Sequence, residues 1–134
     1  MAKILIVEDD YDLALVLKRN LESNGFKTLI AYDAMQATRT AHQEKPDLIF
    51  LDLNLPAGGG VGILNNLKMS VNTNTIPIIV LTGTADDTLI QKALQHGVET
   101  IMRKPYELNE LITQVKKILK IDDKKSEPSS TPSR

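Results

Sequence analysis

Five short apolar runs, Ile4–Val7, Thr28–Ala31, Leu48–Leu51, Ile78–Leu81 and Ile101–Met102, recur along the chain with helix-spaced segments between them. The first, third and fourth are continuous rather than alternating, which is how strands read when both faces of a sheet are covered. Repeated β-α alternation predicts a parallel sheet with helices on both sides, because every parallel connection must cross over. The intervening segments carry matching stripes. Leu13, Val16, Leu17 and Leu21 form one that stops at Asn24-Gly25. Ala34, Ala37 and Ala41 form a thinner one before Pro46, and Ile63, Leu64 and Leu67 form a third. A fourth helix is expected to start at Thr84, with Asp87 completing a variant capping box. It carries Leu89, Ile90, Ala93 and Leu94, and Gly97 stops it. The last helix turns Leu108, Leu111, Ile112, Val115, Ile118 and Leu119 inward. Its acidic first turn (Glu107, Glu110) and basic last turn (Lys116, Lys117, Lys120) suit the helix dipole.

With 134 residues the chain is long enough for one domain with one sizeable core. That domain is expected over residues 1–121; the apolar-free stretch 122–134 reads as a disordered tail or the start of a linker. A net charge of -1 leaves no electrostatic footprint for nucleic acid or an anionic membrane. No apolar run approaches a membrane span. Met1-Ala2-Lys3 leads straight into the first run without a secretory signal, so a cytoplasmic location is expected. The absence of cysteine excludes disulfides, thiolate nucleophiles and cysteine metal sites.

Functional residues of an open parallel sheet belong at the carboxyl ends of its strands. There the chain places Glu8-Asp9-Asp10, Asp52 followed by Leu53-Asn54-Leu55-Pro56, Thr82-Gly83-Thr84, and Lys104-Pro105. Carboxylates, a hydroxyl and an ammonium thus converge on one edge without a histidine or cysteine. Clustered carboxylates need a cation, and an all-oxygen set suits Mg²⁺. A carboxylate nucleophile beside Mg²⁺, Lys104 and the Thr82 hydroxyl is equipped for phosphoryl transfer through an acyl phosphate. Blander roles fit the other polar residues. Asp10 directly precedes a helix and reads as its cap. Asp86 and Asp87 read as first-turn charges, and His96 as a helix C-terminal residue; His42 is isolated. Gly58–Gly60 lacks the Gly-Lys-Ser/Thr ending of a P-loop and reads as a mobile turn.

The segments Ile4–Asp10, Leu51–Pro56, Leu81–Gly83 and Lys104-Pro105, each after the appropriate strand, resemble the receiver domain of two-component response regulators. The resemblance covers about residues 3 to 121. It implies a doubly wound (βα)5 flavodoxin-like, three-layer α/β sandwich of the chemotaxis type, with strand order 2-1-3-4-5. It makes Asp52 the phosphoacceptor, Asp9 a direct Mg²⁺ ligand and Glu8 its acidic partner acting through water. Asn54 would ligate the metal through its backbone carbonyl, with its side chain facing the site and influencing phosphate loss. Thr82 would be the hydroxyl that moves toward the phosphoryl group, Lys104 the lysine that pairs with it, and Lys104-Pro105 a cis peptide. The implied function is a signalling switch, self-catalysing only its phosphorylation and dephosphorylation and not otherwise an enzyme. Its implied partners are a sensor histidine kinase or histidine phosphotransfer protein, met through the first helix and the loop after strand five. A homodimer through helices 4 and 5 is a family habit.

One departure concerns output. Ile101 stands where the family commonly has Tyr or Phe, so the threonine-aromatic switch cannot run in its usual form, which keeps a phosphorylation-independent interaction module as the alternative. An Asp-x-Asp phosphatase would need a second carboxylate where Asn54 stands. A flavin domain would need phosphate donors where Glu8-Asp9-Asp10 stands.

Overall fold

The computed structural model describes residues 2–56, 59–83 and 86–121. Five strands, β1 (Lys3–Val7), β2 (Lys27–Ala31), β3 (Leu48–Asp52), β4 (Ile78–Thr82) and β5 (Thr100–Arg103), alternate with five helices. The helices are α1 (Tyr11–Ser23), α2 (Ala34–Glu44), α3 (Gly59–Met69), α4 (Asp87–Gln95) and α5 (Leu108–Ile118). All strand pairs are parallel and the order is β2-β1-β3-β4-β5, the doubly wound flavodoxin-like arrangement expected from the sequence.

The continuous apolar runs divide by strand periodicity into two cores. Leu5, Val7, Ile49, Leu51, Ile78 and Val80 meet Ala37, Ala41, Ile63, Leu64, Leu67 and Ala93 from α2, α3 and α4. Ile4, Ile6, Leu48, Phe50, Ile79 and Leu81 meet Ala14, Leu17, Leu21, Leu111, Ile112 and Val115 from α1 and α5. The central strands β3 and β4 are buried along their whole length, which explains why they carry no polar residue until Asp52 and Thr82. No helix among the described residues is long and apolar enough to cross a membrane.

Several local expectations are corrected. Leu13 and Val16 lie on the outer side of α1, 38% and 48% exposed, and Ala14 takes the inward position instead. Ala34 and Leu94 are likewise exposed. Gly59 and Gly60 form the start of α3 rather than a turn. The cap of α4 is Asp86, whose carboxylate accepts from the N–H groups of Thr88 and Leu89; Thr84 and Ala85 lie outside the described residues. So do Ala57, Gly58 and the expected tail, 122–134. Asp10 caps α1 as expected, His96 is the C-cap of α4, Gly97 has a positive φ of 79°, and Lys104-Pro105 is cis.

Candidate functional site

The parallel ladders continue one residue beyond the strands and so fix the backbone where the chemistry sits. Glu8 N–H donates to Ala31 O at 3.1 Å, Leu53 N–H to Leu81 O at 3.0 Å, and Lys104 N–H to Thr82 O at 2.8 Å. Asp52 ends β3 opposite Leu81, and Thr82 pairs with Arg103. Side chains from β1, β3, β4 and β5 are thereby delivered to one edge, as expected from reading the strand ends.

Glu8 is 2% exposed, Asp52 4% and Thr82 0%, whereas Asp9 is open to solvent. Lys104 Nζ lies 3.2 Å from Glu8 Oε1 and 3.5 Å from Asp52 Oδ2, so a single ammonium stands between two buried carboxylates. Asp10 N–H donates to the other Glu8 oxygen at 3.1 Å, and Asn54 N–H donates to Asp52 Oδ1 at 2.9 Å. Burial is the largest influence on Glu8 and pushes its carboxyl up to about 7. The Asp10 N–H opposes that rise, the Asp52 charge adds to it, and Lys104 opposes it. The phenol of Tyr106 is pushed up to about 12, first by burial and then by the charges of Glu8 and Asp52. It therefore stays protonated beside the acidic group.

A pH dependence follows from Glu8. Its folded value lies above the ordinary 4.5, so the folded chain holds a proton that the unfolded chain has released. Without metal, stability is expected to fall as pH rises from 4.5 through about 7. The urea midpoint of Glu8→Gln measured across that window should lack this part of the slope. A variant profile parallel to the wild type would refute the assignment.

Glu8, Asp9 and Asp52 each present a carboxylate oxygen within 4.8 Å of the others, an arrangement able to hold a cation. The set consists of hard oxygen donors and fits Mg²⁺ or a similar ion. Every site residue named from the sequence except Ile101 lies at this edge. Ile101 is partly buried and packs against the core on the α2–α3–α4 side. Sequence reading missed three contributors. Tyr106 carried a signal, an aromatic residue just past Lys104-Pro105. The N–H groups of Asp10 and Asn54 carried none, since any residue but proline supplies one.

Residues 4–116 match the family model described as the response regulator receiver domain. The chain is 34% identical over 120 residues to the transcriptional regulatory protein PrrA of Mycobacterium bovis, covering 88% of this chain and 50% of that protein. It is 33% identical over 117 residues to sporulation initiation phosphotransferase F of Bacillus subtilis, covering 87% and 93%. It thus spans half the length of the first relative and nearly all of the second. Among solved structures, the receiver domain of a sensor histidine kinase from Pseudomonas aeruginosa superposes with a TM-score of 0.81 at 28% identity, covering 89% and 98%. That structure has a magnesium ion coordinated in its active-site cleft. The strand order, the carboxylates with their lysine at one sheet edge, and the family match agree: the chain belongs to the response regulator receiver domains, the phosphoryl-accepting modules of two-component signal transduction.

Proposed function

We propose that Asp52 is the phosphoacceptor of this chain, in a Mg²⁺-dependent reaction whose donor is a histidine kinase or a histidine phosphotransfer protein. The observation that carries this reading is the buried Asp52 carboxylate held 3.5 Å from Lys104 within the Glu8–Asp9–Asp52 cluster. Glu8, Asp9 and Asp52, with the backbone carbonyl of Asn54, would hold the ion. When bound, Mg²⁺ offsets carboxylate charge and neutralises the phosphoryl oxygens.

The protein's own residues then perform the transfer. Asn54 N–H orients the Asp52 carboxylate through Oδ1. An Asp52 oxygen forms a bond to phosphorus while the donor's P–N bond breaks, and the imidazole leaves with the electron pair and takes up a proton. Lys104 stabilises the charge gathering on the transferred group, and the Thr82 hydroxyl supplies a further donor. Hydrolysis of the acyl phosphate by water, without an external substrate, resets the switch. An apolar groove lined by Leu13, Val16, Pro105, Tyr106 and Leu108 opens beside Lys104, giving the donor protein a surface next to the acceptor.

The net charge of -1 favours a protein partner over nucleic acid. A homodimer through α4 and α5 would cover Leu94, the exposed apolar residue of α4. Ile101 keeps the phosphorylation-independent module as the second reading. Oligomeric state and partner binding that stay the same with and without beryllofluoride would favour it.

Acetyl phosphate with Mg²⁺ is expected to add one phosphoryl mass to the wild type and none to Asp52→Asn, read by intact mass. Equal labelling of the two would overturn the assignment.

A further inference from the structure

One side chain ties the end of β4 to the turn after β3. Asn54 Oδ1 accepts from the Thr82 hydroxyl at 3.1 Å and from Gly83 N–H at 3.1 Å. A backbone N–H can only donate, so the carboxamide oxygen, not its NH₂, must face β4. The turn carrying Asn54 is itself held, because Asn54 N–H donates to Asp52 Oδ1 at 2.9 Å. Thr82 is fully buried whereas Asn54 and Gly83 reach solvent. The carboxamide therefore lies over Thr82 from the open side of the site.

Both donors gathered by Asn54 are suited to an anion. In the resting chain they meet a neutral amide oxygen. A phosphoryl group on Asp52 would bring anionic oxygens to the same turn, and charge-assisted hydrogen bonds are roughly twice as strong as neutral ones. The two sets of bonds compete for the same donors. Resting on the reading of Asp52 as acceptor, we infer that Asn54 is a positioning residue: its carboxamide oxygen latches the Thr82 hydroxyl and Gly83 N–H in the unphosphorylated arrangement, and phosphorylation must open that latch. Asn54 then sets the resting balance of the switch through its side chain, a role separate from that of its backbone carbonyl.

Two measurements on the whole chain test this. In the first, without any phosphoryl mimic, Gly83 amide hydrogen exchange is expected to be about 3- to 10-fold faster in Asn54→Ala than in wild type. Asn54→Asp keeps an oxygen acceptor and is expected to restore the protection. In the second, at saturating Mg²⁺, beryllofluoride is expected to bind Asn54→Ala about 3- to 10-fold more tightly, since the bonds that oppose it are gone. That gain should shrink in a Thr82→Ala background, where half of the latch is already missing. Unchanged Gly83 exchange in Asn54→Ala overturns the latch whether or not Asp52 accepts phosphate. Faster exchange with equal or weaker beryllofluoride affinity overturns its role in switching. A wild type that does not respond to beryllofluoride overturns the acceptor reading instead, and the exchange still decides whether Asn54 holds the amide.

Discussion

Gly60→Ala is expected to destabilise the chain by about 2 kcal/mol, although alanine is ordinarily the better helix former. A Cβ at Gly60 would fall inside contact distance of the Leu53 carbonyl oxygen and within 2.8 Å of Leu53 C and Cα. These are backbone atoms, so no flexible side chain can turn away. The Leu53 backbone is itself tied to β4 through its N–H to Leu81 O, and it follows Asp52 directly. Relief of the clash therefore displaces either the start of α3 or the end of β3. The helix-propensity gain of about 1 kcal/mol offsets only part of that cost. Gly62 supplies the control, since a Cβ there meets nothing within 4 Å. Gly62→Ala is expected to stabilise by about 0.5–1 kcal/mol. Urea midpoints of the two variants should move in opposite directions, and a stabilised Gly60→Ala would remove the packing argument. Because the displacement begins one residue from Asp52, labelling by acetyl phosphate should also slow in Gly60→Ala and not in Gly62→Ala.

That glycine marks a boundary of what sequence can convey. The strands were legible because burial on both faces leaves an apolar run with no polar interruption, as in Leu48–Leu51 and Ile78–Leu81. The site was legible for the converse reason: Glu8, Asp52 and Thr82 are the first polar side chains after buried stretches, Lys104 follows the end of β5, and a sheet edge collects all four. Helix faces were read less well. Periodicity assigned Leu13 and Val16 to the core, yet they line the groove beside Lys104 and Pro105. An apolar side chain obeys the same spacing on a surface groove as in a core, so the stripe alone cannot separate them. Ala14 carried too little hydrophobic signal to show that the helix is rotated toward it. Gly60 read as part of a turn because glycine runs mark turns more often than close helix–strand approaches. The hydrogen bonds of Asn54 had no sequence signal, because they depend on how two loops from different strands meet.

Lys104→Ala is expected to slow phosphorylation by acetyl phosphate by about 10²- to 10³-fold, the usual effect of losing one preorganised donor at a centre of developing charge. The ammonium stands 3.2 Å from Glu8 and 3.5 Å from Asp52, both buried, so its loss takes one positive charge away from both carboxylates at once. Its removal leaves two carboxylates without their shared cation, which favours protonation of one of them. Lys104 is among the influences that lower the Glu8 value, so that carboxyl should rise further above about 7 in the variant. The stability lost on raising the pH should then extend to higher pH than in wild type, because the folded variant keeps its proton longer. Saturating Mg²⁺ should restore much of the stability by supplying positive charge, but little of the rate, because the ammonium approaches Asp52 from a separate strand end. Lys104→Arg should recover charge without full rate, since a planar guanidinium does not fit a place built for a compact point charge. Wild-type labelling kinetics in Lys104→Ala would sink this account of the site. A pH profile of stability unchanged from wild type would show that Glu8 and Lys104 are neighbours without being electrostatically coupled.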